Sequence, residues 1–156
     1  MKRAVLFIAG GLFAVSVFAS GIKDLDNAWC KAAKAGDVEG LVKLYAPTAV
    51  TYMPDEMKAK GTAEIRASFQ KFLGASTVRE ITLTQEFETT SGNLAASSGT
   101  FSMTVEPKTG GAAQTMEGRY TSVAALKNGK WTYLVDHASL PLPPPPAAAP
   151  APAPKP

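Results

Sequence analysis

Cysteine and histidine are nearly absent from this chain, which has one of each in 156 residues. Because Cys30 has no second cysteine to pair with, no disulfide can form within the chain. A zinc-type cluster of His and Cys ligands is excluded for the same reason. The sequence also has no phosphate-cradling glycine loop and no nucleophile motif. We therefore expect neither a metal nor an organic cofactor, and we interpret Cys30 as a small buried side chain.

Charge of one sign is not concentrated anywhere in the sequence. The 16 Lys and Arg residues and 13 Asp and Glu residues give a formal net charge of +3. Loss of Lys2 and Arg3 with an N-terminal leader would reduce this charge to +1. Opposite charges alternate along the rest of the chain and form no basic block, so nucleic-acid binding is disfavoured.

A hydrophobic run of membrane-spanning length is missing as well. Residues 4–18 are apolar or small, but a spanning helix needs roughly 20 such residues. The small side chains Val17 and Ala19 fit the rule for a cleavage site after a short basic start. We predict that residues 1–19 are a secretory signal peptide and that the mature protein is periplasmic or secreted. An uncleaved anchor is the weaker alternative, and no membrane contact is expected after cleavage.

The other end of the chain, residues 141–156, is nearly all proline and alanine. Such a segment cannot bury a core and favours an extended, polyproline-like tail of roughly 50 Å at about 3.1 Å per residue. It is interpreted as a disordered spacer, with a docking site for a partner as the alternative. Residues 20–140 remain, which is enough for one domain with one core.

The first part of this domain predicts helices. Apolar residues recur at helical spacing over residues 25–33, and Gly36 is a stop signal. Asp37 can cap a second helix, whose apolar face includes Tyr45 and which Pro47 would end.

A short strand and a third helix follow. Residues 49–53 are typical of a short strand. Thr62 can cap the third helix, and Gly74 can end it.

The second part predicts a sheet. Alternating apolar and polar residues indicate long antiparallel strands over residues 77–90, 94–106, 114–127 and 130–139. Gly99 and Gly118 lie inside strands, where glycine often marks a bulge or bend, so the sheet should curve. The predicted fold class is α+β, with three N-terminal helices packed in the concavity of a curved antiparallel sheet, a cystatin-like cone.

The last two strands meet at Asn128-Gly129, a pair that favours a two-residue type I′ turn. In the register that this turn sets, Tyr120 lies opposite His137 and shares its face. Asp136 then points to the other face, where Arg119 is its diagonal neighbour. We interpret Asp136 and Arg119 as a cross-strand ion pair.

Short segments along the domain form a recognisable series, in order: 28–29, 36–41, 44–50, 60–65, 98–101, 117–120 and 129–139. The series resembles the nuclear transport factor 2-like superfamily, with its ketosteroid isomerase-like and SnoaL-like members, over about residues 22–141. The match is best to small bacterial proteins of unknown function. The resemblance implies a pocket between helices and sheet and frequent dimers through the sheet, but it implies no single chemistry.

Candidate site residues follow from the aromatic and titratable side chains. His137 and Asp136 are the candidate proton carriers, although a hydrogen-bonded histidine at a strand end is the plainer interpretation of His137. The candidate ligand-binding residues combine an apolar body with a polar tip, and most such aromatics could equally be core; they are Tyr45, Tyr52, Tyr120, Trp131 and Tyr133.

Three functions fit these observations. The first is a small-molecule-binding domain with an apolar, tyrosine-lined pocket, whose partner is a small apolar molecule. The second is an isomerase or lyase that uses acid/base chemistry in that pocket. The third is a homodimeric interaction module that uses the sheet face and the Pro/Ala tail.

Overall fold

Three helices and six strands make up the computed structural model, which describes residues 21–142. The helices are α1 (Ile22–Ala35), α2 (Val38–Val42) and α3 (Gly61–Ala75). The strands are β1 (Tyr45–Tyr52), β2 (Ala59–Lys60), β3 (Ser76–Ser91), β4 (Leu94–Pro107), β5 (Gln114–Lys127) and β6 (Lys130–Ser139). None of the helices in this part of the chain is long and apolar enough to cross a membrane.

The predicted signal peptide, residues 1–19, lies outside the described residues. So does the predicted tail, apart from its first two residues, Pro141 and Leu142. Both therefore stay predictions.

The sheet has the strand order β2-β1-β6-β5-β4-β3. Strands β3 to β6 form the predicted antiparallel meander. The first long strand, β1, pairs with the last one, β6, and does so in parallel. Helix α1 packs on β3, β4 and β6, and α3 packs on β1 and β3, so the helices occupy the concave face. The predicted α+β cone is confirmed.

The boundaries of the N-terminal elements differ in part from the prediction. Asp37 does cap α2, because its carboxylate accepts a hydrogen bond of 2.8 Å from the Gly40 amide. Tyr45, predicted on this helix, is instead the first residue of β1, because its backbone pairs with Tyr133 of β6. The predicted stop at Pro47 is therefore wrong, since α2 has already ended at Val42.

The cap of α3 was also assigned to the wrong residue. Its N-cap is Lys60, whose amide donates to the Glu64 carboxylate over 2.8 Å. The Glu64 side chain reaches back to the start of the helix, so the Thr62 hydroxyl is not needed as a cap.

Gly99 and Gly118, inside strands β4 and β5, lie where a neighbouring group comes too close for a side chain. A register shift between Gln85 and Phe87 lies opposite Gly99, which confirms a bulge there. A Cβ atom at Gly99 would overlap the carbonyl oxygen of Thr84. Gly118 shows no register shift; the Phe101 ring of β4 lies over it, where a Cβ would collide with the ring.

This packing predicts opposite effects for the same substitution at two glycines. Gly99→Ala should lower the free energy of unfolding by about 2 kcal/mol, because the methyl group meets rigid backbone. Gly74→Ala in α3 should raise it by about 0.5–1 kcal/mol, because no atom lies within 4 Å of the added Cβ. Urea denaturation of both variants checks this, and a neutral Gly99→Ala would contradict the close approach.

Candidate functional site

One extra residue in β6 decides which side chains of that strand reach the concave face. Tyr133 pairs with Ala124 and Val135 with Val123, so Leu134 is left over as a β-bulge. Beyond a bulge, the side chains switch faces relative to an uninterrupted strand. Asp136 consequently joins Tyr133 on the concave side.

The predicted register is therefore correct near the turn and wrong beyond the bulge. Tyr120 pairs with Ala138 instead of His137, and His137 pairs with Thr121. The prediction that Tyr120 and His137 share a face is wrong. The predicted Asp136–Arg119 ion pair is also wrong, because Arg119 lies on the convex face and donates to the Ser139 hydroxyl over 3.2 Å.

A cavity of about 290 Å³ opens between α1, α3 and the concave face. Most of its wall is apolar, formed by Trp29, Phe69, Phe72, Ile81, Leu83, Phe101, Met103 and Met116. A few polar side chains converge on it, namely Asp26, Ser68, Tyr120, Ser122, Tyr133 and Asp136. The volume is at the lower end of the roughly 300–1,000 Å³ typical of ligand pockets.

The mouth of the cavity carries charged side chains. Asp55 and Glu56 follow β1, and Lys71 projects from α3. The Lys71 ammonium lies 3.3 Å from Glu56 and 3.8 Å from Asp55. Such exposed pairs contribute little to stability, but they place opposite charges around the entrance.

A directed chain of hydrogen bonds ends at Asp136. The indole N–H of Trp29 donates to the Tyr45 hydroxyl over 2.8 Å, and this hydroxyl contacts the Asp136 Oδ2 at 2.5 Å. An indole nitrogen can only donate, so the Tyr45 hydroxyl accepts from Trp29 and directs its own proton to the ionised Asp136 carboxylate. With Asp136 ionised, Oδ2 accepts from Tyr45 and Oδ1 is left as a second acceptor.

A second carboxylate, Asp26 of α1, is buried in the same site with 5% of its surface exposed. The Tyr133 hydroxyl donates to Asp26 Oδ1 over 2.5 Å. Asp26 Oδ2 and the Tyr120 hydroxyl are both buried, and neither makes a hydrogen bond of good geometry within residues 21–142. The two side chains are close enough to shift each other's pKa. Both therefore have unused hydrogen-bonding capacity at the cavity wall.

Sequence reasoning missed Asp26, although the sequence contained a signal. Asp26 comes four residues after Ile22 and three before Trp29. It therefore lies on the apolar face of α1, where an acidic residue is rarely buried without a role.

Burial sets the protonation behaviour of these groups. It raises the pKa of Asp136 to about 6, against which the Tyr45 hydrogen bond acts, and Asp26 nearby raises this pKa further. Burial also raises the pKa of Asp26. The pKa of Tyr120 rises to about 12, and the pKa values of Tyr45 and Tyr133 rise too, so all three phenols stay protonated donors.

The other candidate residues lie away from the cavity. Tyr45 lies behind Asp136, and Trp131 is buried at the turn end of the sheet opposite Leu126. Tyr52 and His137 are exposed neighbours on the convex face, with ring centroids 6.1 Å apart and nearly perpendicular planes. Among the predicted residues, Tyr120, Tyr133 and Asp136 reach the cavity wall. Their roles toward a ligand stay predictions.

Two further groups bear on metal and thiol chemistry. Over residues 21–142, His, Cys, Asp and Glu side chains form no group of three that could hold a metal ion. Cys30 is half-buried against the core, and burial raises the pKa of its thiol to about 11. The thiol is therefore protonated at neutral pH.

Comparison with known proteins identifies related sequences and folds. The family model described as SnoaL-like domain matches residues 27–134. A ketosteroid isomerase-like protein from Erwinia carotovora atroseptica superimposes with a TM-score of 0.71 at 16% identity, over 78% of this chain and 95% of that one. A nuclear transport factor 2-like protein from Salmonella enterica superimposes with a TM-score of 0.66 at 20% identity, over 82% and 94%. No curated protein sequence matches this chain.

A conserved protein from Planctomyces limnophilus is similar as well, with a TM-score of 0.67 at 21% identity over 74% of this chain and 90% of that one. At these identities the structures share the fold alone. This fold is one that suits small-molecule binding or isomerase-type chemistry.

The raised pKa of Asp136 predicts a pH-dependent contribution to stability. Folding raises this pKa from 3.8 to about 6, so the folded state binds more protons than the unfolded state between these values. The free energy of unfolding should therefore fall as the pH rises through this window, by about 1 kcal/mol per pH unit at most from this group. Urea denaturation of the wild type and Asp136→Asn across the window measures it.

In that comparison the wild type should gain stability relative to Asp136→Asn as the pH is lowered. Asp55→Asn, at the exposed mouth, is the matched control and should follow the wild type. Parallel pH profiles for the wild type and Asp136→Asn would show that burial does not perturb this carboxyl.

Proposed function

Since this chain belongs to the SnoaL-like domain family, we propose that it binds a small, largely apolar molecule in the cavity between α1, α3 and the sheet. The cavity is the feature that supports this proposal most strongly. Its wall is mainly apolar, and a few polar groups converge on it from α1, β5 and β6. This combination is typical of small-molecule sites, where apolar surface supplies affinity and a few polar groups fix orientation.

The unpartnered polar atoms support the same proposal. A buried polar atom without a hydrogen bond costs about 1–3 kcal/mol, and Asp26 Oδ2 and the Tyr120 hydroxyl are two such atoms in one wall. A ligand with one polar group beside an apolar body would satisfy them and remove this cost. Tyr120 and Tyr133 would then be ligand contacts, and Tyr45 would hold Asp136 in place.

Export and dimerisation belong to the proposal as well. The basic start, the apolar run and the small residues before position 20 support a signal peptide and a periplasmic or secreted protein. The exposed side chains Tyr52, Phe87 and Val135 on the convex face support a homodimer through the sheet. Sedimentation of the mature protein, residues 20–156, measures that dimer directly.

Filling the cavity should weaken the binding of an apolar probe. Met116→Trp adds a large ring to the wall, so the affinity for the neutral dye prodan should fall at least about tenfold. Lys127→Trp adds the same ring to an exposed site on the last hairpin and is the matched control. Fluorescence titration measures both, with thermal unfolding to verify the fold. Equal dye affinity in Met116→Trp and wild type would place the binding site elsewhere.

A second candidate function is an isomerase or lyase, and the pKa of Asp136 favours it. A carboxyl with a pKa of about 6 can both accept and release a proton near neutral pH. Its Oδ1 is the atom that would exchange the proton with a substrate. The Tyr120 hydroxyl could donate to a developing oxyanion in the same cavity. His137, on the convex face, has no part in this chemistry.

This second candidate predicts catalysed proton exchange at a carbon acid. Exchange of the hydrogens next to the carbonyl of α-tetralone in D₂O should be faster with the protein present, and its rate should rise as the pH rises through about 6. Asp136→Asn should lose the acceleration, while His137→Gln on the convex face should keep it. NMR measures the exchange, and equal rates with wild type and Asp136→Asn would remove Asp136 as the base.

A further inference from the structure

We infer that the cavity takes a molecule whose apolar body carries one protonated amine. This inference rests on the proposed binding function and adds the chemical class of the ligand. Four observations lead to it. They are the direction of the hydrogen bonds, the buried polar atoms without a good hydrogen bond, the absence within residues 21–142 of a cation that pairs with the inner carboxyl groups, and the aromatic wall.

The hydrogen bonds turn the two carboxyl groups into acceptors. Tyr45 donates to Asp136 Oδ2, and Tyr133 donates to Asp26 Oδ1. Each phenolic proton is thereby used, and each carboxyl keeps a second oxygen for another partner.

The atoms that remain are matched by the donors of an ammonium group. Asp26 is 5% exposed, and its Oδ2 has no hydrogen-bond partner within the described residues. The Tyr120 hydroxyl, in a residue 7% exposed, has none either. With Asp136 Oδ1 these make three oxygens that can accept. An ammonium has three donors and no acceptor, whereas a hydroxyl has one donor.

Charge favours a cation over a neutral donor. Among residues 21–142, Lys71 is the sole cationic side chain at the cavity wall, and it is paired with Asp55 and Glu56 at the mouth. The buried carboxyl of Asp26 and the half-buried carboxyl of Asp136 therefore have no countercharge from these residues at the inner end. A buried charge without a partner is strongly unfavourable, and a bound ammonium would supply the partner.

The aromatic wall suits the same ligand. The rings of Trp29, Phe69 and Tyr133 border the cavity next to the two carboxyl groups. Faces of aromatic rings attract cations in desolvated sites, with tryptophan the strongest. Carboxylates and rings together thus recognise the ammonium, and the remaining apolar wall takes the body.

The test compares three molecules that share one body: phenylbutylamine, phenylbutanol and phenylbutyrate. Isothermal titration calorimetry with the mature protein near neutral pH should give an affinity for the amine at least about tenfold above that for the alcohol, because hydrogen bonds to charged groups are the stronger ones. The carboxylate should bind weakest, since it meets two acidic groups.

Variants locate the effect. Asp26→Asn and Asp136→Asn should each reduce the amine-to-alcohol affinity ratio about tenfold. Asp55→Asn at the mouth is the matched control and should keep the ratio.

Acidification should weaken amine binding as Asp136 takes up a proton. The titratable groups that face Asp136 are Asp26 of α1, Tyr45 of β1, Tyr120 of β5 and Tyr133 of β6, with Lys71, Asp55 and Glu56 at the mouth. The three phenols, whose pKa values are raised, do not change charge in this range. Alcohol binding should change little over the same pH range.

The relative affinities of the wild-type protein for the amine, the alcohol and the carboxylate can by themselves overturn the inference. If the alcohol or the carboxylate binds as tightly as the amine, the cavity does not select a cation, although the proposed binding of an apolar molecule stands. If none of the three binds and prodan does not bind either, the proposed binding function fails with it. A ratio that is unchanged in Asp26→Asn and Asp136→Asn would also contradict the inference.

Discussion

The bulge at Leu134 is the constraint on which the rest of the site depends. A strand alternates its side chains between two faces, and one inserted residue exchanges the faces of everything that follows. In β6 this places Tyr133 and Asp136 on the same side, three residues apart, where both meet the helices. It also places His137 on the convex surface. A single unpaired residue thereby determines that Asp136, and not His137, is the titratable residue of β6 after the bulge that faces the cavity.

The hydrogen-bonded pairs show how the protein keeps acidic groups inside an apolar cavity. Each carboxyl accepts a hydrogen bond from a tyrosine hydroxyl. Trp29 of α1, through Tyr45, holds Asp136 from the helix side of the cavity. The carboxyl oxygens that face the cavity are therefore positioned before any ligand arrives. Such preorganisation reduces the free energy lost on binding, because few side chains need to be ordered at that moment.

Much of the fold followed from sequence patterns that act locally. Strands β5 and β6 were predicted at their observed bounds, because the Asn128-Gly129 turn sets the register near it and the alternation is clear. Asp37 was recognised as a cap because its side chain satisfies an amide within the same turn of chain. The α+β class came from the order of these elements and from the family resemblance.

The site was harder to predict, because it depends on contacts between distant segments. The bulge at Leu134 has no glycine to mark it, so the register beyond it was assigned by simple alternation. Tyr45 has a helical spacing to Leu41 and Val42, yet its backbone pairs with β6. Asp26 was not predicted as a site residue, because its tyrosine partner lies 107 positions away in the sequence. In each case a tertiary contact overrides a local pattern.

The parallel pairing of β1 with β6 has a consequence for how the protein folds. The bonds that complete the cavity join residues 91 and 107 positions apart, Tyr45 with Asp136 and Asp26 with Tyr133. Contacts of such long sequence separation form late, because the entropy of closing the loop is lost before they form. Strand β1 cannot complete its parallel pairing until β6 is in place. The cavity is therefore complete only once β6 has paired with β1, and a chain in which β6 is unpaired lacks Tyr133 and Asp136 in the cavity wall.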